Sequence, residues 1–263
     1  MCKTIRKTHL FICFSIIYLV LPFTPKTIVA QQADVRLTIM TYNLYRDFPF
    51  NTQYSRINDF AEVIKSCDPD LVALQEVRGI SNLNKLKKAC EMDGKRYNTL
   101  PFYGIGILWK STLGEPKITH KRIKTLKTSS DKEARAYMIA EFTDFYFIAT
   151  HYSLDKHEQM RMTEEIIQFS KTVSKPIYLA GDFNTTPDGT AILKLRANRF
   201  ILLNNPKDFT FRSDNPHKII DMILMYPVGS TSMHIIERGV PDFPMDYLIK
   251  LSDLLPYCVR LGM

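Results

Sequence analysis

The chain has 263 residues, 45% hydrophobic and 24% charged, with 16 Phe, 13 Tyr and only 10 Gly. That composition excludes collagen-like, low-complexity and intrinsically disordered chains. The formal charge is +8, but half of it is carried by Lys3, Arg6, Lys7 and Lys26, in a segment unlike the rest.

In that segment a basic start precedes an apolar run over 10–23, followed by Ile28-Val29-Ala30 and then Gln31-Gln32. The layout is that of a secretory signal peptide, with Ala30 the expected last residue before cleavage. An uncleaved membrane anchor and a lipid-modified Cys13 are the other readings. The apolar run is shorter than the roughly 20 residues needed to span a bilayer, and Pro22 and Pro25 interrupt its end. Export to a secreted or periplasmic location is expected, with no stable membrane association after cleavage. Residues 31–263 would form a single monomeric domain of 233 residues, with Lys+Arg reduced from 35 to 31 against 27 acids. A remaining charge of +4 permits an anionic partner without arguing for wholesale nucleic-acid binding. Cys67, Cys90 and Cys258 remain. Three cysteines make no disulfide framework, though one bridge is open, and no Cys/His spacing suggests zinc.

Strand-like apolar runs then occur at 35–42, 71–74, 104–109, 136–142, 145–150, 176–180, 219–225 and 255–261. Ile57, Phe60, Ala61 and Ile64 fall at i, i+3, i+4 and i+7, one buried helix stripe. A second helix is expected over 158–173, with Asp155 as N-cap and Glu158 as its capping-box partner. Thr143-Asp144 reads as a two-residue hairpin turn, so part of the sheet is antiparallel. No repeat, linker or long charge block divides the chain, which reads as one α/β domain.

Several apolar runs end in one conspicuous polar residue. The first ends at Asn43, the second runs into Gln75-Glu76, the fifth ends at His151, and the sixth reaches Asp182, with Asn184 two residues on. Two others invert the order: Asp221 interrupts the run at 219–225, and Asp253 precedes the last. If those two strands run antiparallel to the other four, all these groups gather at one edge. Taken singly, each has an ordinary structural reading. Asn43 and Asp182 could start turns, Glu76 could be a solvated strand end, His151 a structural hydrogen-bonder and Asp253 a cap. Asp221 is different, because an Asp inside an apolar run must be paired or coordinated.

Four carboxylates brought together repel unless a cation sits among them or some hold protons. A hard divalent cation with oxygen ligands is the simplest partner, Mg²⁺ with Mn²⁺ as the alternative. Asn43 and Asn184 can bind oxygen atoms without adding charge, and His151 can donate or accept a proton. The chemistry expected is metal-assisted hydrolysis of a phosphoester.

In order, Thr41-Tyr42-Asn43-Leu44, Leu74-Gln75-Glu76, Thr150-His151, Gly181-Asp182-Phe183-Asn184, Ile220-Asp221 and Ser252-Asp253 resemble the motifs of the endonuclease/exonuclease/phosphatase superfamily. Gly104-Ile105-Gly106-Ile107-Leu108, Glu133-Ala134-Arg135 and Thr210-Phe211 support the match. The resemblance implies a deoxyribonuclease-I-like, four-layer α/β sandwich: two packed mixed β-sheets flanked by helices. It implies Glu76 as principal metal ligand, with Asn43 and Asp253 near the same ion. Asp182 and Asn184 would orient water and phosphate oxygens, His151 would contact the scissile phosphate, and Arg135 is a weaker carry-over. Asp221 resembles the acid that pairs with a second, catalytic histidine. The superfamily's closing Ser-Asp-His reads Ser252-Asp253-Leu254 here, so Asp221 lacks that partner and general acid–base catalysis is weakened. His217, just upstream of Asp221, is a conceivable substitute. The expected substrate is a nucleic acid or a small phosphorylated molecule; a catalytically dead module binding metal and phosphoester is the alternative.

Overall fold

The computed structural model describes residues 36–45, 55–99, 103–229 and 233–262. The leader expected over 1–30 lies outside the described residues.

The first sheet opens with strand β1 (Arg36–Asn43), followed by helix α1 (Ile57–Ser66), β2 (Leu71–Arg78), α2 (Gly79–Cys90), β3 (Asp93–Asn98) and β4 (Tyr103–Trp109). The chain then builds the second sheet from β5 (Lys117–Ile123), β6 (Arg135–Glu141), β7 (Tyr146–His151), α3 (Lys156–Ser170), β8 (Ile177–Asp182), α4 (Thr190–Ala197), β9 (Ile201–Leu202) and β10 (Asp221–Tyr226). It returns to the first sheet through β11 (His234–Gly239), α5 (Met245–Leu251) and β12 (Tyr257–Gly262). The strand orders are β11-β12-β1-β2-β4-β3 and β5-β6-β7-β8-β10-β9.

Three apolar layers hold these elements. Ile39, Ala73, Ile107, Met138, Ala149, Ala180 and Ile223 belong to the core between the sheets. Met40, Val72 and Leu108, one residue out of step, face the opposite way and pack with Phe60 and Ile64 of α1 and Leu83 of α2. Ile148, Leu179 and Met222 do the same on the second sheet, against Ile166 of α3 and Leu195 of α4. Strands buried on both faces explain why these runs are continuously apolar instead of alternating. The result is the expected four-layer α/β sandwich.

The strand directions match the expectation that gathers the polar ends. β1 runs parallel to β2 and antiparallel to β12, while β7 runs parallel to β8 and β8 antiparallel to β10. The Thr143-Asp144 turn closes with Phe142 N–H donating to Phe145 O at 2.9 Å. The capping box of α3 is only half formed. Asp155 accepts from the His157 and Glu158 N–H groups, but Glu158 accepts from Leu126 N–H and the Ser153 hydroxyl instead of returning to the cap.

Candidate active site

Each strand end delivers its polar side chain by an identifiable local device. Asn43 is the last residue of β1 in register with β2, opposite Gln75, and its carbonyl accepts from the Ser252 hydroxyl at 2.8 Å. In β2 the register to β4 shifts between Leu74 and Val77, and Glu76 adopts φ +57°. This bulge turns Glu76 out of the sheet and into the cleft. After β8, Asn184 at φ +47° donates its N–H to Asp182 Oδ1 at 2.8 Å, a tight Asx turn that places both side chains on one side. Ser252 and Ser213 anchor the segment bearing Asp253: Ser213 Oγ donates to Ser252 O at 2.6 Å and Ser213 N–H to Asp253 O at 2.9 Å.

Asn43, Glu76, His151, Asp182, Asn184 and Asp253 all line one cleft of about 1050 Å³, together with Arg135 and Leu254. Asn43 bridges two acids, donating from Nδ2 to Glu76 Oε1 at 3.3 Å and to Asp182 Oδ2 at 3.1 Å. His151 Nε2 lies 3.6 Å from Asp182 Oδ2. Arg135 Nη1 approaches the His151 ring at 2.9 Å from Nε2. A guanidinium only donates, so the ring nitrogen it meets serves as acceptor.

Arg135, the weaker carry-over of the resemblance, is not a solvated strand-edge residue. It is 5% exposed, with Nε donating to Asp131 at 2.8 Å and Nη1 paired with Glu133 at 3.2 Å. Asp131, which the sequence reading did not single out, also accepts from the Ser153 hydroxyl and Leu154 N–H. Nothing in its spacing marked it, since Ser153 and Leu154 arrive from another strand end.

Asp221 lies behind the cleft wall, opposite Asp182 in the β8–β10 register. Neither of its carboxylate oxygens has a hydrogen-bond partner among the described residues. The nearby Thr210 hydroxyl accepts from the Ile220 and Asp221 N–H groups. Burial, with Asp182 adding its charge, instead pushes the Asp221 carboxyl well above the usual carboxylate range. A retained proton removes the cost of an uncompensated buried charge.

The same physics acts on its neighbours. Burial lifts Asp182 to about 7 against the Asn184 N–H, Asn43 amide and Arg135 charge that favour its ionised form, with Glu76 raising it further. Burial and then Glu76 lift Asp253 to about 6. The acids therefore feel one another across the cleft. His217 is exposed, its Nδ1 2.8 Å from Asn215 O, and it does not line the cleft. Leu254, 5% exposed, does.

Residues 40–253 match the model of the Endonuclease/Exonuclease/phosphatase family. No curated protein sequence matches the chain. Among solved structures, an endonuclease/exonuclease/phosphatase from Bacteroides vulgatus is 19% identical with a TM-score of 0.73, over 87% of this chain and 99% of its own. A mannosyl-6-phosphatase from Bacteroides thetaiotaomicron is 16% identical with a TM-score of 0.70, over 86% and 100%. The D. rerio TDP2 complexed with a single-strand DNA product is 15% identical with a TM-score of 0.67, over 88% and 100%. At these identities the likeness is one of fold; the family rests on the model that spans the domain. The chain belongs to the Endonuclease/Exonuclease/phosphatase family of phosphoester hydrolases.

Proposed function

We propose that the protein is an exported, Mg²⁺-dependent phosphoester hydrolase whose turnover is reduced by Leu254. The observation that carries this reading is the convergence of Asn43, Glu76, His151, Asp182, Asn184 and Asp253 on one cleft. The donor set suits a hard cation. Among the described residues no three of His, Cys, Asp and Glu form a closed metal cage. Mg²⁺ does not need one, since it takes one or two carboxylates and fills its shell with water and phosphate oxygens. Asp253 Oδ1 is buried with no hydrogen-bond partner among the described residues, a lone pair consistent with a cation. Glu76 and Asp253 would hold Mg²⁺, with Asn43 beside it; when bound, it supplies Lewis-acid polarisation of a phosphoryl oxygen.

The chain's own groups divide the remaining tasks. Arg135, locked by Asp131, and His151 present donors to the phosphate, while Asp182 and Asn184 orient a water opposite the leaving group. Where the superfamily resemblance puts a histidine on Asp221, Leu254 can exchange no proton. General acid–base groups are worth about 10²–10⁴-fold, so residual turnover is compatible with the rest of the site. Mannose phosphate and DNA, named for two of the structural neighbours, bracket the substrate classes: a small phosphorylated molecule or a polynucleotide backbone.

A panel of phosphomonoester, phosphodiester, DNA and phospholipid substrates, each with Mg²⁺ or EDTA, tests the reading. We expect slow, EDTA-sensitive release from one of the first three. Binding of a phosphoester with no turnover on any of them would favour the binding module, which Leu254 in the cleft wall also fits. Export is checked separately by N-terminal sequencing of the mature protein, which should begin at Gln31.

A further inference from the structure

We propose that Cys67 and Cys258 form a dithiol pair that closes to a disulfide, fastening the end of α1 to β12. Cys67 is the C-cap of α1, and Cys258 lies within β12, opposite Met40 of β1 and Gly239 of β11. The two cysteines, 191 positions apart in sequence, line the same small cavity of about 140 Å³ beside Ser66, Val240 and Arg260. Cys258 is buried in the layer between the first sheet and its helices, and Cys67 packs against that layer. Cys90 lines a different cavity, with Ile64 and Lys65, so only this pair is in position.

The two thiols are also chemically unequal. The neighbouring Cys258 thiol draws Cys67 below the usual thiol range against the opposing effect of burial, with help from the Arg260 guanidinium. The same proximity, reinforced by burial, raises Cys258. Burial pushes Cys90 up to about 12, against the opposing Lys65 charge. Cys67, half-buried at the cavity, is therefore the attacking sulfur, since the thiolate is the nucleophile.

With a disulfide oxidant such as oxidised glutathione, the Cys67 thiolate attacks one glutathione sulfur. The glutathione S–S bond breaks, one glutathione leaves as thiolate, and a mixed disulfide forms on Cys67. Cys258 then gives up its proton and attacks Cys67 Sγ, expelling the second glutathione. Two protein thiols are oxidised, one glutathione disulfide is reduced to two thiols, and the protons lost by the protein end on glutathione. An oxidising compartment would hold the bridge closed.

The test incubates the full chain with oxidised glutathione at several ratios to reduced glutathione, blocks free thiols with iodoacetamide and maps tryptic peptides without reduction. The expected product joins 66–78 to 251–260, with Cys90 alkylated. Melting temperature should rise by roughly 5–15 °C on closure, the range expected for a disulfide worth about 2–4 kcal/mol in a domain of this size. Cys67→Ser should abolish both the joined peptide and the rise, and Cys90→Ser should leave both. Alkylation of both Cys67 and Cys258 at saturating oxidised glutathione, separate glutathionylation of each, or a bridge to Cys90 would overturn the proposal. The mapping is made on the unaltered chain and is independent of catalysis.

Discussion

Asp131 shows how a residue remote from substrate can set the site. Its carboxylate is 3% exposed, binds Arg135 Nε and receives the Ser153 hydroxyl and the Glu133 and Leu154 N–H groups. Burial alone would raise its pKa, but the Arg135 charge and these donors outweigh burial and hold it below the usual range. A carboxyl with a depressed folded-state pKa contributes stability above its unfolded value, and that contribution is lost as pH falls through the folded value. Asp131→Asn should therefore destabilise the fold by about 1–3 kcal/mol at pH 7, and the difference should shrink below about pH 4, where the unfolded chain begins to protonate. Urea titrations at both pH values check this. Leu254 poses the opposite case, a position marked by the family resemblance in the sequence. Leu254→His would return a proton-transfer group to the wall that Asp221 underlies. The Mg²⁺-dependent rate should rise roughly ten-fold or more, and Asp221→Ala in the same background should remove the gain. A folded Leu254→His protein without gain on any phosphoester would favour the binding module.

Between residue and element, the Gly181-Asp182-Phe183-Asn184 motif has a mechanical reading. A Cβ placed on Gly181 would lie 2.1 Å from Thr150 O, a backbone atom that cannot swing away. Gly181 and Thr150 are register partners between β8 and β7, one residue before Asp182 and His151. Gly181→Ala should push these strands apart at the point where they present two site residues, costing about 1–3 kcal/mol as an overpacked contact and lowering turnover more than stability implies. Denaturant midpoints beside kcat/KM check this; an unchanged midpoint would mean that the strands yield freely. The edge strands missed by sequence reading share one cause. β3, β5 and β11 are edge strands with mostly half-buried or exposed side chains, and Lys117-Ile-Thr-His-Lys-Arg-Ile shows how little apolar alternation such a strand needs. Charged edges also discourage pairing with other chains. The short helices α4 and α5 bury only three and two side chains respectively, too few to mark a stripe. The central strands were legible because both faces are buried. The bulge at Glu76 was not, because its shift depends on the pairing with β4.

For the molecule as a whole, the two sheets meet at a cleft whose acids come from separated segments: Glu76 from one sheet, Asp182 from the other with Asp221 behind it, and Asp253 from the loop that returns the chain to β12. In the unfolded chain these groups are up to 177 positions apart, so no assembled cation site exists there. A ligand that binds only the folded state stabilises it by mass action, about 2.7 kcal/mol at one hundred times its Kd. For a domain of this size that corresponds to a rise of roughly 5–10 °C in melting temperature. Mg²⁺ titrated into the metal-free protein should produce a saturable rise of that order, with Mn²⁺ acting similarly. Glu76→Gln should remove most of the rise while preserving the side chain's size, and Asn43 would still have an amide oxygen with which to pair at that position. Asp68→Asn, on an exposed carboxylate paired with Lys110 far from the cleft lining, is the control and should leave the rise intact. If the wild type and Glu76→Gln respond equally, the cation is bound elsewhere and the assignment of Glu76 is wrong. A response lost in Glu76→Gln but kept in Asp68→Asn would tie the cation to the cleft even if turnover proves undetectable, because this measurement reads the metal site without requiring the proton transfer that Leu254 removes.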